Sequence, residues 1–376
     1  MANIMDYLQW RGDLTLRQAP FNSIDNLILS TLVYIDFEQT GLDLSGKSNV
    51  TIREAGEKFS ILHADEKMKL GRVLPDVIFE LFDVLSRTKR FQDMKLSHYI
   101  NQIDEEEEKQ FAAITVDLGN GNCCIAYRGT DDTIVGWKED FNMCFQYPVP
   151  SQIQAVEYLQ QVTHTRFGKV YLGGHSKGGN LAIYAATMCQ PRLRRRIRRV
   201  CSFDSPGFTQ EFLECEAYQS VAERVHRIIP QSSMIGILFE NHTKYDVVQS
   251  TQIGLFQHDM FSWQISGNDF IYVDDISSSS TTVEHTMKEF IAAMSIEERK
   301  KFVEALFYVF EQTGAKTLSD LKLKDVVAIL GRMSREDHDN RKVLSQALWL
   351  LIQILEEYSQ QQIKEKVKNL PMKKQF

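Results

Sequence analysis

The chain of 376 residues has only 8 prolines, and its six cysteines form no CxxC pair. Scarce proline excludes a polyproline or linker-dominated protein. The cysteine spacing excludes the common zinc and dithiol motifs, so Cys123, Cys124, Cys144, Cys189, Cys201 and Cys215 are expected as reduced, buried thiols. Long apolar runs are also lacking: the longest, "ALWLLIQIL" at 347–355, falls well short of the roughly 20 residues that cross a bilayer. The opening residues "MANIMDYLQWRGDLTL" lack the basic region and apolar core of a secretory signal. Excess positive charge is absent too, and a net charge of −7 leaves no global field for nucleic acid or anionic lipid. These absences predict a cytoplasmic protein with no transmembrane segment and no nucleic-acid partner.

What is present is a change of period along the chain. Residues 1 to about 105 read as mostly helical. Ile24, Leu27, Ile28, Leu32 and Ile35 recur at helical spacing behind Asn22 and Ser23, either of which can cap, and "LPDVIFELFDVLSRTKRF" is a second amphipathic stretch. The acid run "DEEEE" at 104–108 reads as a solvated boundary. From 110 the period falls to two: "KQFAAITVDL" and "NCCIAYRGT" flank "GNG" as a hairpin, with Cys123 and Cys124 on opposite faces of their strand. A helical stretch near 151–166, the strand "KVYLGG", a helix from about 177, and the strands "RRVCSFDSPG" and "VHRIIP" follow. That alternation predicts an α/β protein with a mainly parallel sheet covered on both faces. "SSSSTT" at 277–282 reads as a polar linker, with helices starting near Ser295, where Glu298 completes a capping box and Gly314 ends the helix, and near Ser334. The expected organisation is a helical N-terminal region at 1–108 packing on a core at 109–276, then a helical C-terminal region at 277–376.

Within that core, Gly174-His175-Ser176-Lys177-Gly178 fits the G-x-S-x-G pattern between apolar "KVYL" and helical "NLAIYAATM". This is the strand–turn–helix setting of a nucleophile elbow; a plain glycine turn is the alternative. A serine hydroxyl is a weak nucleophile until a base takes its proton, and the base needs a third group to fix its tautomer. In the α/β-hydrolase order an acid and then a histidine follow the serine. Of His226, His242, His258, His285 and His338, the expected base is His258 in "GLFQHDMFSW", a loop-like segment after the last clear strand, with His242 second. The oxyanion needs two donors: the amide of Lys177, and Thr130 of "IAYRGTDD" through its amide and hydroxyl.

Two ordered motifs extend this reading. "IAYRGTDDTIVGWKEDF" resembles the F-R-G-T…D-W…D-F segment of class 3 lipases, and "GHSKGGNLA" resembles their G-H-S-L-G-G-A-L-A elbow. Over most of its length the chain is similar to an uncharacterised bacterial family of lipase-like α/β-hydrolases whose motifs read here as "GHSKGGNLA", "FDSPGF" and "QHDMFSW". The resemblance implies an α/β-hydrolase fold, Ser176 as nucleophile, His258 as base, Thr130 and Lys177 as oxyanion donors, and an ion pair between Arg128 and Asp140. The acid departs from the pattern. Class 3 lipases place it after the strand aligned with "VHRIIP", where this chain has Gln231, Ser232 and Ser233. "SFDSPGF" resembles instead the L-D-P segment of pancreatic-type lipases, which makes Asp204 the candidate; an aspartate that merely pins the loop before Pro206 is the plain alternative. Asp246 is a weaker candidate, and Asp259 sits too near His258 along the backbone to orient it easily.

Lys177 stands where lipases usually have leucine, and its ammonium is expected in solvent, attraction of an anionic substrate group being the other use. "RLRRRIRR" at 192–199 reads as an exposed connector before it reads as an anion site. The helical regions could cap the serine or form a packing or homo-oligomer surface. The leading expectation is a serine hydrolase that cleaves a carboxylic ester of a small molecule or lipid through an acyl-enzyme on Ser176, without metal or organic cofactor. Action on another acyl bond, amide or thioester, stays open, as does a non-catalytic binding or scaffold protein that keeps the fold.

Overall fold

The computed structural model describes residues 2–62, 75–163, 168–239, 244–277 and 294–322, with 291 and 324. Most of the expected linker, the helix near Ser334, and His242, His285 and His338 lie outside the described residues. The chain divides into two compact units, Met1–Met294 with Thr317–Ser319, and Ser295–Lys316 with Asp320–Phe376.

The first unit is built on a nine-stranded sheet that follows chain order. Its strands are β1 (Asn49–Thr51), β2 (Lys95–Asp104), β3 (Lys109–Gly119), β4 (Asn122–Tyr127), β5 (Val170–His175), β6 (Ile197–Phe203), β7 (Val225–Pro230) and β8 (Tyr245–Val248). A small separate hairpin, β9 (Ile265–Ser266) and β10 (Asp269–Phe270), precedes the last edge strand, β11 (Tyr272–Val273). From β4 to β8 every neighbouring pair is parallel, and this is the part of the sheet that presents the site. The outer pairs, from β1 to β4 and β8 with β11, are antiparallel. The "GNG" hairpin forms as expected because Gly119, Asn120 and Gly121 all take positive φ.

Two features differ from the sequence expectation. Lys95–Asp104 is strand, not part of a helical region, and "DEEEE" is the solvated turn joining β2 to β3 rather than a boundary between regions. A bulge between Ser97 and Ile100, with His98 at a φ of 55°, breaks the two-residue period of β2 and hides it in the sequence. The expected boundary at 108/109 therefore falls between two paired strands, and the one at 276/277 falls inside the first unit.

Strand alternation divides the core into two layers. Cys124 and Ala126 of β4 join a cluster with the apolar faces of α1 (Ile4–Arg11), α2 (Ser23–Leu32), α3 (Ile52–Leu62) and α4 (Val77–Arg87). Cys123, Ile125 and Tyr127 face the other way, into a cluster with two helices that follow α5 (Ile134–Asn142): α6 (Pro150–Thr163) and α7 (Lys177–Met188). Asn22 caps α2 in a capping box with Asp25. Asp25 also forms a wholly buried ion pair with Arg90 at 2.5 Å, and Arg90 spends further donors on the carbonyls of Leu14, Ala19 and Pro20. In the second unit, the helix Ile296–Gln312 starts at the Ser295/Glu298 capping box, and Gly314 follows at positive φ. None of the described helices is long and apolar enough to cross a membrane.

Candidate active site

The sheet delivers the site from the C-terminal ends of its parallel strands. Ser176 directly follows β5 at φ 57° and ψ −135°, a backbone position an L-residue holds only under strain, and α7 begins at the next residue. The turn is tight: a methyl group on Gly174 would lie 2.1 Å from the Gly178 backbone, and one on Gly178 would lie 2.1 Å from the Tyr127 carbonyl. The Ser176 amide donates to Phe203 O at 2.9 Å, which ties the elbow to the end of β6. The serine itself is half-buried.

Asp204 directly follows β6, at a φ of 45°. Its carboxylate Oδ2 lies 2.6 Å from His258 Nδ1, and the two side chains are 1 % and 16 % exposed. A carboxylate only accepts, so Nδ1 carries the proton and, in the neutral ring, Nε2 keeps its lone pair. The other carboxylate oxygen accepts from Ser233 Oγ at 2.5 Å and the Gly236 amide at 3.1 Å. A Cβ at Gly236 would stand 2.5 Å from that oxygen, so the approach requires glycine. The serines that occupy the lipase acid position thus include one that orients Asp204. Asp259 instead caps the next turn, accepting from the Phe261 amide at 3.0 Å.

Each motif has a visible task. In "QHDMFSW", Gln257 Oε1 accepts from the Ser232 amide at 2.7 Å and Trp263 Nε1 donates to Gln257 O at 2.7 Å, which pins the turn carrying His258. In "GGNLA", Asn180 donates to the carbonyls of Pro206 and Gly207 in the loop after Asp204.

His175, inside the elbow, is a participant the sequence reading passed over. Its Nε2 lies 2.8 Å from the carbonyl of His258, its Nδ1 lies 3.2 Å from Tyr34 Oη, and the two imidazole centroids are 4.3 Å apart. Burial, and then the neighbouring His258, hold its pKa well below the usual histidine value, so the ring is neutral. A carbonyl requires the proton on Nε2; Nδ1 then accepts from Tyr34, whose hydroxyl in turn accepts from the Gly129 amide. This relay joins the base loop to the "RGT" loop. Tyr34 lies just past α2, and no local pattern marks it. Among the described residues no hydrogen bond joins Ser176 to the His258 ring; the contact to the base loop is made by its neighbour His175.

The "RGT" loop abuts the serine, because a methyl on Gly129 would lie 3.0 Å from Ser176 Cβ. Thr130 Oγ1 donates to Asp140 Oδ2 at 2.5 Å. The hydroxyl is therefore committed to a carboxylate, which leaves only the amide for the expected oxyanion role. The amide of Lys177, expected as the other donor, belongs to the first residue of α7, and neither amide is taken up by another group among the described residues. Two further expectations are corrected. Arg128 pairs with Asp131 at 3.0 Å and with Asn101, not with Asp140. The Lys177 ammonium is not in solvent: it is 1 % exposed and lies 2.9 Å from Glu139 Oε2 and 3.7 Å from Asp140. In the arginine run Arg192, Arg195 and Arg198 are exposed, while Arg194 and Arg196 donate to the carbonyls of Cys189, Gly168 and Thr163. No group of three or more His, Cys, Asp or Glu side chains among the described residues could hold a metal ion.

Comparisons with solved structures find lipases among the proteins that loosely resemble this chain. The M37 lipase structure matches at 16 % identity and a TM-score of 0.36, over 58 % of this chain and 70 % of its own. Lip2 lipase from Yarrowia lipolytica matches at 10 % identity and a TM-score of 0.31, over 51 % and 76 %. A lipase from Rhizopus microsporus var. chinensis matches at 14 % identity and a TM-score of 0.30, over 64 % and 90 %. Likenesses this loose carry no argument. No curated protein matches the chain. The family model described as Mbeg1-like matches residues 85–308, more than half of the sequence, including Ser176, Asp204 and His258, and the chain belongs to that family.

Proposed function

We propose that this protein is a serine hydrolase that cleaves a carboxylic ester through an acyl-enzyme on Ser176. The observation that carries the proposal is the 2.6 Å contact of Asp204 with His258 Nδ1, made at the same end of the sheet as a serine on a strained elbow. In this reading Ser176 Oγ attacks the ester carbonyl while His258 Nε2 takes its proton. Asp204 holds the tautomer and stabilises the imidazolium, and the oxyanion accepts from the amides of Thr130 and Lys177. The same Nε2–H then protonates the departing alkoxide, and water, activated by His258, releases the acid and restores the serine. The scaffold reading drew on the missing acid after "VHRIIP", and it loses that support with Asp204 on His258.

A fluorophosphonate probe tests the proposal. Labelling of wild type, abolished in Ser176→Ala, is expected; no labelling, or equal labelling of the variant, overturns it. A chain-length series of p-nitrophenyl esters, run beside an anilide and a thioester, then reads acyl preference. Faster turnover of longer chains would identify a lipid-like substrate.

A further inference from the structure

Lipase-type elbows carry leucine where this chain has Lys177, so packing alone does not call for a cation there. Burying an ammonium is unfavourable unless it is paired and hydrogen-bonded. This one is fully engaged. Its Nζ lies 3.0 Å from Gln110 O, 2.9 Å from Gln110 Oε1 and 2.9 Å from Glu139 Oε2, with Asp140 Oδ1 at 3.7 Å. Burial works against the ammonium, but Glu139 and Asp140 outweigh burial and raise its pKa, so it stays charged.

Two of these partners, Gln110 and Asp140, lead to the loop that holds the second oxyanion donor. Gln110 Nε2 donates to Asp131 at 3.3 Å, and Asp131 also holds Arg128 and the Thr133 amide. Asp140 accepts the Thr130 hydroxyl. Glu139 takes the Gln110 amide on the oxygen that meets Lys177 and the Ser151 amide on the other, which locks α5 to β3 and to the start of α6. One cation thus joins three elements: α7, which presents the Lys177 amide, and β3 and α5, which bracket the Thr130 loop.

We propose that the Lys177 ammonium is a positioning group for the oxyanion site, fixing the separation between its own backbone amide and that of Thr130 by clamping α7, β3 and α5 together. The inference rests on the serine-hydrolase reading above and adds to it a residue that touches no substrate. Oxyanion donors act in the transition state more than in the bound ester, so their misplacement lowers kcat and spares KM. The competing role is purely structural, in which the ammonium does no more than neutralise Glu139.

Two variants separate the roles, each checked for folding by thermal melt. Lys177→Met leaves Glu139 buried without its cation, and the double variant Lys177→Met with Glu139→Gln removes both charges. Positioning predicts that the double variant melts closer to wild type than the single one does, yet both lose about 10²-fold in kcat on a p-nitrophenyl ester with KM within about threefold. A double variant that recovers kcat to within about threefold of wild type overturns the positioning role. Wild type that neither labels with fluorophosphonate nor turns over any ester overturns the serine-hydrolase reading itself, and this inference with it.

Discussion

Asp204 is held so that an amide in its place would face the wrong way. Ser233 Oγ and the Gly236 amide both donate to Oδ1, so in Asp204→Asn the amide oxygen takes that position and the NH2 group points at His258 Nδ1. Nδ1 must then accept, the ring proton moves to Nε2, and the lone pair needed to take the serine proton is lost. Turnover is expected to fall by about 10⁴-fold with little change in melting temperature, measured by steady-state kinetics and calorimetry. Retained turnover would remove Asp204 from the triad. Asp140 makes a different prediction. Burial pushes its pKa up to about 6, against the pull of Lys177 and the Thr130 hydroxyl. Glu139 beside it pushes in the same direction as burial, and Tyr34 is a further titratable group that senses its charge. The folded state thus binds the Asp140 proton more tightly than the unfolded chain. The stability this contributes is fully present below the unfolded pKa of about 4 and is lost as pH rises through about 6. The stability of Asp140→Asn relative to wild type should therefore rise between pH 4 and pH 6.5, by denaturant titration across that range. A flat difference would mean that Asp140 ionises normally.

At the scale of elements, the site depends on how closely α7 can approach β4. A methyl group at Gly178 meets the Tyr127 carbonyl at 2.1 Å and the Arg128 backbone at 2.9 Å, so strand and helix must separate to admit it. Gly178→Ala is expected to cost about 1–3 kcal/mol, visible as a lower denaturation midpoint. Because the same separation moves the Lys177 amide from the Thr130 loop, kcat should fall more than stability explains; a folded variant with full turnover would refute the coupling. The elbow was legible in the sequence because its chemistry is local: an apolar strand, small residues and a helix within twenty positions. His258 and Asp204 were legible only through motif order, since their contact spans 54 residues. Tyr34, Ser233 and the burial of Lys177 were not legible, because a long-range hydrogen bond or a buried charge leaves no periodic trace. The strand β2 was hidden by its bulge, and β8, four residues long, is too short to declare a period.

For the whole first unit, the decisive fact is that the N-terminal helices and the sheet share one apolar cluster. Ile28 of α2, Leu81 of α4, Cys124 and Ala126 of β4 and Phe203 of β6 all belong to it and are fully buried. The helices that precede the sheet in sequence therefore supply half of the sheet's cover, and neither part can expose that cluster without loss to the other. Asn26 strengthens the link by donating to the Leu172 carbonyl on β5, four residues before the elbow turns at Ser176. Ile28→Ala should cost about 2–5 kcal/mol through lost transfer energy and the cavity left behind. The distribution of that loss is the test. If residues 1–108 opened independently, hydrogen exchange in the variant would accelerate only in α1 to α4. A shared core predicts that amides of α2, α4 and β4 accelerate together, by a common factor of roughly 30-fold or more, the equivalent of about 2 kcal/mol. Protection retained in β4 while α2 exchanges freely would show that the helices form a cover able to open on its own.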